Sequence, residues 1–166
     1  MNSLPSIRIG HGYDSHRFDA SRPLRLGGVT IPDAPGLAGH SDADVLLHAV
    51  IDALLGAAAL GDIGGHFPDT DPRWAGADSA RLLQAVVREV AAAGYAPVNV
   101  DATVICERPR LRPHVAAIRE SLAGLLGVPA DRVSVKGKTN EGMDAVGEGR
   151  GIAVHCVALL AAREPA

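Results

Sequence analysis

Cysteine is scarce in this 166-residue sequence, which holds two, Cys106 and Cys156. Both sit in Val- and Ala-rich runs, a setting that predicts buried, inert thiols rather than a disulfide or a catalytic nucleophile. Aromatic residues amount to 3%, so the bulk of any core must come from Ala, Val and Leu. Neither sign of charge dominates, the formal net charge being −3, which argues against a basic nucleic-acid surface. No apolar run reaches the roughly 18 residues of a membrane span, and no signal-peptide core opens the sequence. The expectation is a cytoplasmic protein with neither nucleic acid nor membrane as partner. Gly and Pro, by contrast, are plentiful at 19 and 11, a share that suits shaped loops better than a plain helical bundle. With 47% hydrophobic residues, residues 1–166 read as one domain, able to bury roughly 70% of its unfolded surface. Residues 1–6 read as a loose N-terminal end.

The pattern alternates strands and helices. Ile7 to Phe18 reads as a first strand, and Leu24–Leu26 pairs with Val29–Ile31 as a hairpin turned by Gly27-Gly28. Pro32 to Gly39 reads as a loop. A helix is expected from the His40-Ser41-Asp42-Ala43-Asp44 segment to about Leu60, capped by Ser41 or Asp42, with acidic residues in its first turn. A second helix follows the Gly76-Ala77-Asp78-Ser79 cap and ends at Gly94. Val98–Cys106 and Val133–Lys138 read as strands around a third helix, about His114 to Leu126. The arginines of the Pro-bounded loop Glu107–Pro113 read as solvated. The last strand, Ile152–Leu160, is apolar on both faces and so must be covered on both. Three helices cover one side of such a sheet, and the sheets of other subunits are the simplest cover for the second.

Three groups of residues carry chemistry. In Ile9-Gly10-His11-Gly12-Tyr13-Asp14-Ser15-His16, strand alternation places Asp14 and His16 on one face, close enough to share an ion. A carboxylate with an imidazole suits zinc and its first-row neighbours. On the first helix Asp44, His48 and Asp52 stand at i, i+4 and i+8, so that His48 reads as a ligand flanked by orienting carboxylates, or the stripe as a solvated face. The loop Asp62-Ile63-Gly64-Gly65-His66-Phe67-Pro68-Asp69-Thr70-Asp71-Pro72 reads as a turn-rich connection, or as a cradle of backbone N–H groups and short carboxylates for a polar ligand. Asp14, His16 and His48 together give three protein ligands and an open fourth position, the layout of a catalytic zinc site.

These runs, with Arg112-Pro113-His114, Val135-Lys136, Thr139, Glu141 and the closing Gly-rich turn, resemble the 2-C-methyl-D-erythritol 2,4-cyclodiphosphate synthase family over nearly the whole chain. The resemblance implies an α+β fold, a mixed sheet of four to five strands with three helices on one face. It implies one catalytic domain per subunit and a homotrimer with the sheets packed inward and active sites between subunits. The implied reaction cyclises 4-diphosphocytidyl-2-C-methyl-D-erythritol 2-phosphate with loss of CMP, a step of non-mevalonate isoprenoid biosynthesis. The implied cofactors are Zn2+ on Asp14, His16 and His48, and Mg2+ or Mn2+ on Glu141 and the substrate phosphates.

His40 and Thr139 match positions that assist the transition state by hydrogen bonding, with Ser41 beside them. The implied substrate contacts fall on Asp62 and Gly64 for the ribose, on Phe67, Pro68, Asp69, Thr70 and Asp71, and on Cys106, Pro109 and Arg112 in the loop of the base pocket. Asp14, His16, Lys138, Ala145 and Glu148 complete the set. Many members read Gly-Arg-Gly-Glu-Gly where this chain has Gly147-Glu148-Gly149-Arg150-Gly151. In the family these side chains grip an isoprenoid diphosphate in a channel on the threefold axis, and the exchanged charges predict weaker binding or none. Two alternatives share the ligand set: a zinc-dependent phosphodiesterase or cyclase for another nucleotide, and a non-catalytic metal-binding trimer.

Overall fold

The computed structural model describes residues 6–163, so that of the expected loose end only Ser6 is described. Its order is β1 (Ile7–Leu26), β2 (Val29–Leu37), α1 (Val45–Ala58), α2 (Ile63–His66), α3 (Ser79–Ala92), β3 (Tyr95–Ile105), α4 (Val115–Leu126), β4 (Val133–Lys138), α5 (Asp144–Gly147) and β5 (Gly151–Ala162). The five strands form one mixed sheet in the order β2-β1-β5-β3-β4. Only β3 and β4 run parallel, and the crossover that such a pair requires is made by α4. The three long helices lie on one face, α1 across β1 and β5, and α3 and α4 toward β3 and β4.

The first strand is longer than its sequence suggests. Ile7 to Arg17 pairs with β5, and the same strand then pairs with β2 from Phe18 to Leu26. Register shifts on either side of Pro23 accommodate the change of partner, because proline supplies no N–H to a ladder. The hairpin turns at Gly27 and Gly28 as expected, with φ of +62° and +80°, the doubly left-handed conformation of a tight hairpin turn. Pairing continues to Leu37, so most of the expected loop 32–39 is strand. β3 also starts early, at Tyr95, with its irregularity at Pro97.

α1 begins later than its sequence suggests, at Val45. Ala43 takes a left-handed φ of +58°, which ends any helix running in from His40. Asp44, rather than Ser41 or Asp42, is the cap, and the first turn contains no acidic residue. The Asp44 carboxylate accepts from Leu47 N at 3.0 Å and from Gly27 N and Gly28 N at 2.9 and 2.7 Å. It therefore joins the hairpin tip to the helix start instead of belonging to a solvated stripe. Of the residues in α1, all but Asp52 and Gly56 are buried, as expected for a helix held between a sheet and another helix.

From Gly10 to His16 the even positions of β1 face α1, and the first two are glycine. A Cβ on Gly12 would strike the Ala49 carbonyl oxygen, and one on Gly10 the Ala53 carbonyl oxygen. Strand and helix backbones thus touch directly. Odd positions face away from the helices, where Ile9 (73%), Ile7 (59%), Tyr13 (51%) and Val157 of β5 (38%) are exposed. Gly12→Ala should lower the free energy of unfolding by about 3 kcal/mol or more, because backbone on both sides blocks relaxation. Urea denaturation measures this directly.

Candidate metal centre

Beyond Gly10 and Gly12, the next two even positions of β1 are Asp14 and His16, and the facing residue of α1 is His48. Asp14 Oδ2 lies 2.9 Å from His16 Nε2 and 3.0 Å from His48 Nδ1, and the two imidazole nitrogens stand 3.3 Å apart. Ligands about 2.0–2.1 Å from a tetrahedral zinc are spaced by about 3.3 Å. The three donor atoms therefore form a triangle of the size that such an ion needs. Among the described residues this is the group of His, Cys, Asp or Glu side chains converging in this way, and its mixture of nitrogen and carboxylate oxygen fits a borderline divalent metal.

His16 Nδ1 donates to the Ala38 carbonyl at 2.5 Å. A carbonyl only accepts, so Nδ1 carries a proton and Nε2 is the ring atom turned toward the centre. On the far side of the His48 ring, Nε2 lies 3.1 Å from Ser41 Oγ and 3.0 Å from Ser79 Oγ. Burial opposes the charge on Asp14, but hydrogen bonds to His16 and His48, together with their charge, hold this carboxyl well below the usual range. Burial likewise pushes His16 down, and the Asp14 carboxylate outweighs it and raises the imidazole above its ordinary value. The expected orienting carboxylates of His48 are elsewhere. Asp44 caps α1, and Asp52 accepts from Ile63 N at 2.7 Å, while burial pushes its carboxyl up.

A cavity of about 470 Å³ opens over the centre, and His40, Ser41, Gly64, Phe67, Pro68 and Asp69 line it with Asp14, His16 and His48. The expected turn-rich segment contains the short α2, whose cap is Asp62, accepting from Gly65 N at 2.8 Å. Thr70 is exposed at its far end. Asp71 accepts from the Arg73 guanidinium, which holds its carboxyl below the usual range. His40 Nε2 lies 3.3 Å from the Asp71 carbonyl. In the sequence, Asp78-Ser79 before an apolar run reads as a helix cap, and nothing local points from Ser79 to His48.

The remaining residues gather elsewhere in the same chain. Cys106, Pro109, Arg112, Lys138 and Thr139 line a second cavity of about 390 Å³, with Thr139 Oγ1 donating to Glu141 Oε1 at 2.8 Å. Ala145 lines a third with Arg17 and Arg150. Glu148 lies 2.9 Å from the Arg150 guanidinium, so the two exchanged charges satisfy each other. Within one chain, then, Glu141 is not part of the three-residue centre.

Fold and centre together define an α+β chain with a three-ligand metal-binding group where its first strand meets its first long helix. The sequence profile of the YgbB family matches residues 7–161, and the chain belongs to that family. The 2-C-methyl-D-erythritol 2,4-cyclodiphosphate synthase of Salinibacter ruber is 60% identical over 154 residues, 93% of this chain and 98% of that protein. The synthase of the same name from Pseudomonas aeruginosa is 58% identical over 157 residues, 95% and 100% of the two chains. A solved 2C-methyl-D-erythritol-2,4-cyclodiphosphate synthase in its CDP-bound form superposes with a TM-score of 0.85 at 44% identity, covering 92% of this chain and 99% of that one. The bifunctional IspDF of Campylobacter jejuni superposes with a TM-score of 0.93 at 38% identity over 97% of this chain, which spans 44% of that longer protein.

Both cysteines are buried and free, as expected. Burial pushes the Cys106 thiol up to about 11 and the Cys156 thiol up to about 12. At neutral pH the thiolate of Cys106 is then only about one part in ten thousand, although its loop lines a cavity. Iodoacetamide should leave both residues unmodified in the folded protein and alkylate both after unfolding in guanidinium, as intact-mass measurement will show.

Proposed function

We propose that this chain is a lyase that cyclises 4-diphosphocytidyl-2-C-methyl-D-erythritol 2-phosphate to 2-C-methyl-D-erythritol 2,4-cyclodiphosphate and releases CMP, in the non-mevalonate route to isoprenoids. The observation that carries this reading is the convergence of Asp14, His16 and His48 beside the Gly- and Pro-rich loop, in a chain so similar to synthases of that name. An oxygen of the 2-phosphate forms the new bond to the β-phosphorus, and the bond from that phosphorus to the oxygen bridging to the α-phosphate breaks. That oxygen departs with CMP, so no protein nucleophile is required.

The demands of such a step are alignment and charge neutralisation. Asp14, His16 and His48 would hold a zinc ion, and Glu141 a magnesium or manganese ion. Held by these residues, the cations would supply Lewis-acid chemistry and offset phosphate charge. His40 and Ser41 face the same cavity as the zinc ligands and present hydrogen-bonding groups to the transferring phosphate, while Asp62 and Gly64 at the mouth of α2 meet the ribose. The loop Cys106–Arg112, with Lys138 and Thr139, receives the cytosine and the diphosphate.

In this reading the working site spans two subunits of a homotrimer, the metal half from one and the cytidine half from the next. The two halves line separate cavities of the single chain, and the sheet face away from the helices exposes Ile7, Ile9, Tyr13 and Val157. Both features support an assembly with sheets inward. The Glu148–Arg150 pair leaves little free charge to hold an isoprenoid diphosphate on the threefold axis, so such a ligand binds weakly or not at all. A cytoplasmic location belongs to the same reading. No helix among the described residues is long and apolar enough to cross a membrane.

Incubation of the protein with this substrate and divalent ions should yield CMP and the cyclic diphosphate in equal amounts. CMP with a linear product would favour a hydrolase, and metal-replete protein without turnover a binding role. His48→Ala should strip the zinc and lower turnover by about a hundred- to a thousandfold while leaving a trimer by light scattering. Glu141→Gln should keep the zinc and lose most of the activation by magnesium or manganese.

A further inference from the structure

The acceptor behind His48 is supplied by neither of the carboxylates on its own helix. Ser79, the first residue of α3, is fully buried, and its hydroxyl lies 3.0 Å from His48 Nε2. The same hydroxyl makes a short contact with Asp42 Oδ1, and the Ser79 backbone N–H donates to Asp42 Oδ2 at 3.2 Å. Arg25 Nε stands 3.5 Å from that second oxygen, placing a positive charge beside the Asp42 carboxylate. A carboxylate accepts only, which commits the single Ser79 hydroxyl proton to Asp42. The Ser79 oxygen must then accept toward His48, so the His48 ring proton belongs on Nε2. Nδ1 is then the ring atom that faces Asp14 and His16.

The neighbouring hydroxyl, Ser41 Oγ, is less constrained. It lies 3.1 Å from His48 Nε2 and accepts from Ala43 N at 3.2 Å, but among the described residues no carboxylate fixes the direction of its proton.

From this chain of contacts we propose that Asp42 and Ser79 form a relay that positions His48, with Nδ1 held free as a metal ligand, so that both residues set the affinity of the centre for a divalent cation. They are positioning residues that act through His48 and touch no substrate. The inference rests on the metal-centre reading above, and it explains why α3 begins against the turn 40–44. Partners that orient metal-bound imidazoles change affinity by about 10- to 100-fold when removed.

The experiment is zinc binding by competition against a chromogenic chelator for the wild type, Ser79→Ala and Asp42→Asn. Asp42→Asn interrupts the relay at its far end and leaves the space around His48 untouched, so it stands in if Ser79→Ala fails to fold. Each variant should bind zinc about 10- to 100-fold more weakly than the wild type. In zinc-loaded wild-type protein labelled with 15N-histidine, the Nε2 proton of His48 should exchange slowly with solvent, and in either variant quickly. Variant affinities within twofold of the wild type, or a His48 Nε2 proton that exchanges freely in the wild type, overturn the relay. Failure of the wild type itself to bind zinc or another first-row divalent ion overturns the metal-centre reading on which it stands, and so separates the two.

Discussion

Direct backbone contact between β1 and α1 is the constraint on which the rest of this molecule depends. It exists because Gly10 and Gly12 carry no Cβ where Ala53 and Ala49 present their carbonyl oxygens. At ordinary strand–helix separation a side-chain layer would lie between the two elements. Without that layer, His48 reaches the plane of Asp14 and His16 through one imidazole, and three donor atoms meet within about one ion's coordination sphere. The small residues of the first strand and the chemistry of its next turn are therefore one design. Strand alternation puts 10, 12, 14 and 16 on the same face, two of them to admit the helix and two to meet it.

Both imidazoles are turned toward the centre by groups outside it. The Ala38 carbonyl, at the end of β2, sets the His16 ring, and the start of α3 lies behind the His48 ring. Asp14 is stabilised as a carboxylate by both imidazoles despite its burial. The centre thus draws on four elements, which explains the unbroken core beneath it. A shift of β2 or α3 would misaim an imidazole without touching a ligand. The loop that lines the cavity opposite the centre, by contrast, hangs from one short helix, α2, capped by Asp62 and tied back through Asp52 to α1.

Much of this was legible in the sequence, and the exceptions have physical causes. Asp14 and His16 could be paired because a period of two is unambiguous, and the Gly27-Gly28 turn could be placed because few residue pairs accept two left-handed conformations. The start of α1 is ambiguous in the sequence because Ser41, Asp42 and Asp44 are all good caps, and only the left-handed Ala43 decides among them. Spacing along the helix makes Asp44 and Asp52 either partners of His48 or members of a solvated stripe. That spacing gives proximity on a cylinder but not direction, and both carboxylates are claimed by backbone N–H groups of other segments. Ser79 and Asp42 lie 37 positions apart in the chain, so no local pattern could join them. The strand character of residues 32–37 was hidden by prolines that an edge strand tolerates.

The turn from Gly39 to Ala43 is stitched to its surroundings on every side. The Arg22 guanidinium donates to the Gly39 carbonyl at 2.8 Å and also to that of Ser41. Gly76 N donates to the His40 carbonyl at 2.8 Å, and Asp42 N to that of Ala77 at 3.0 Å. A polypeptide bend fastened by so many main-chain knots gains little slack from lengthening or shortening, so insertions and deletions should be confined to other stretches of the surface. Adaptation of the chemistry next to His40 is then left to point changes in the facing loop, which can vary without unpicking the seam.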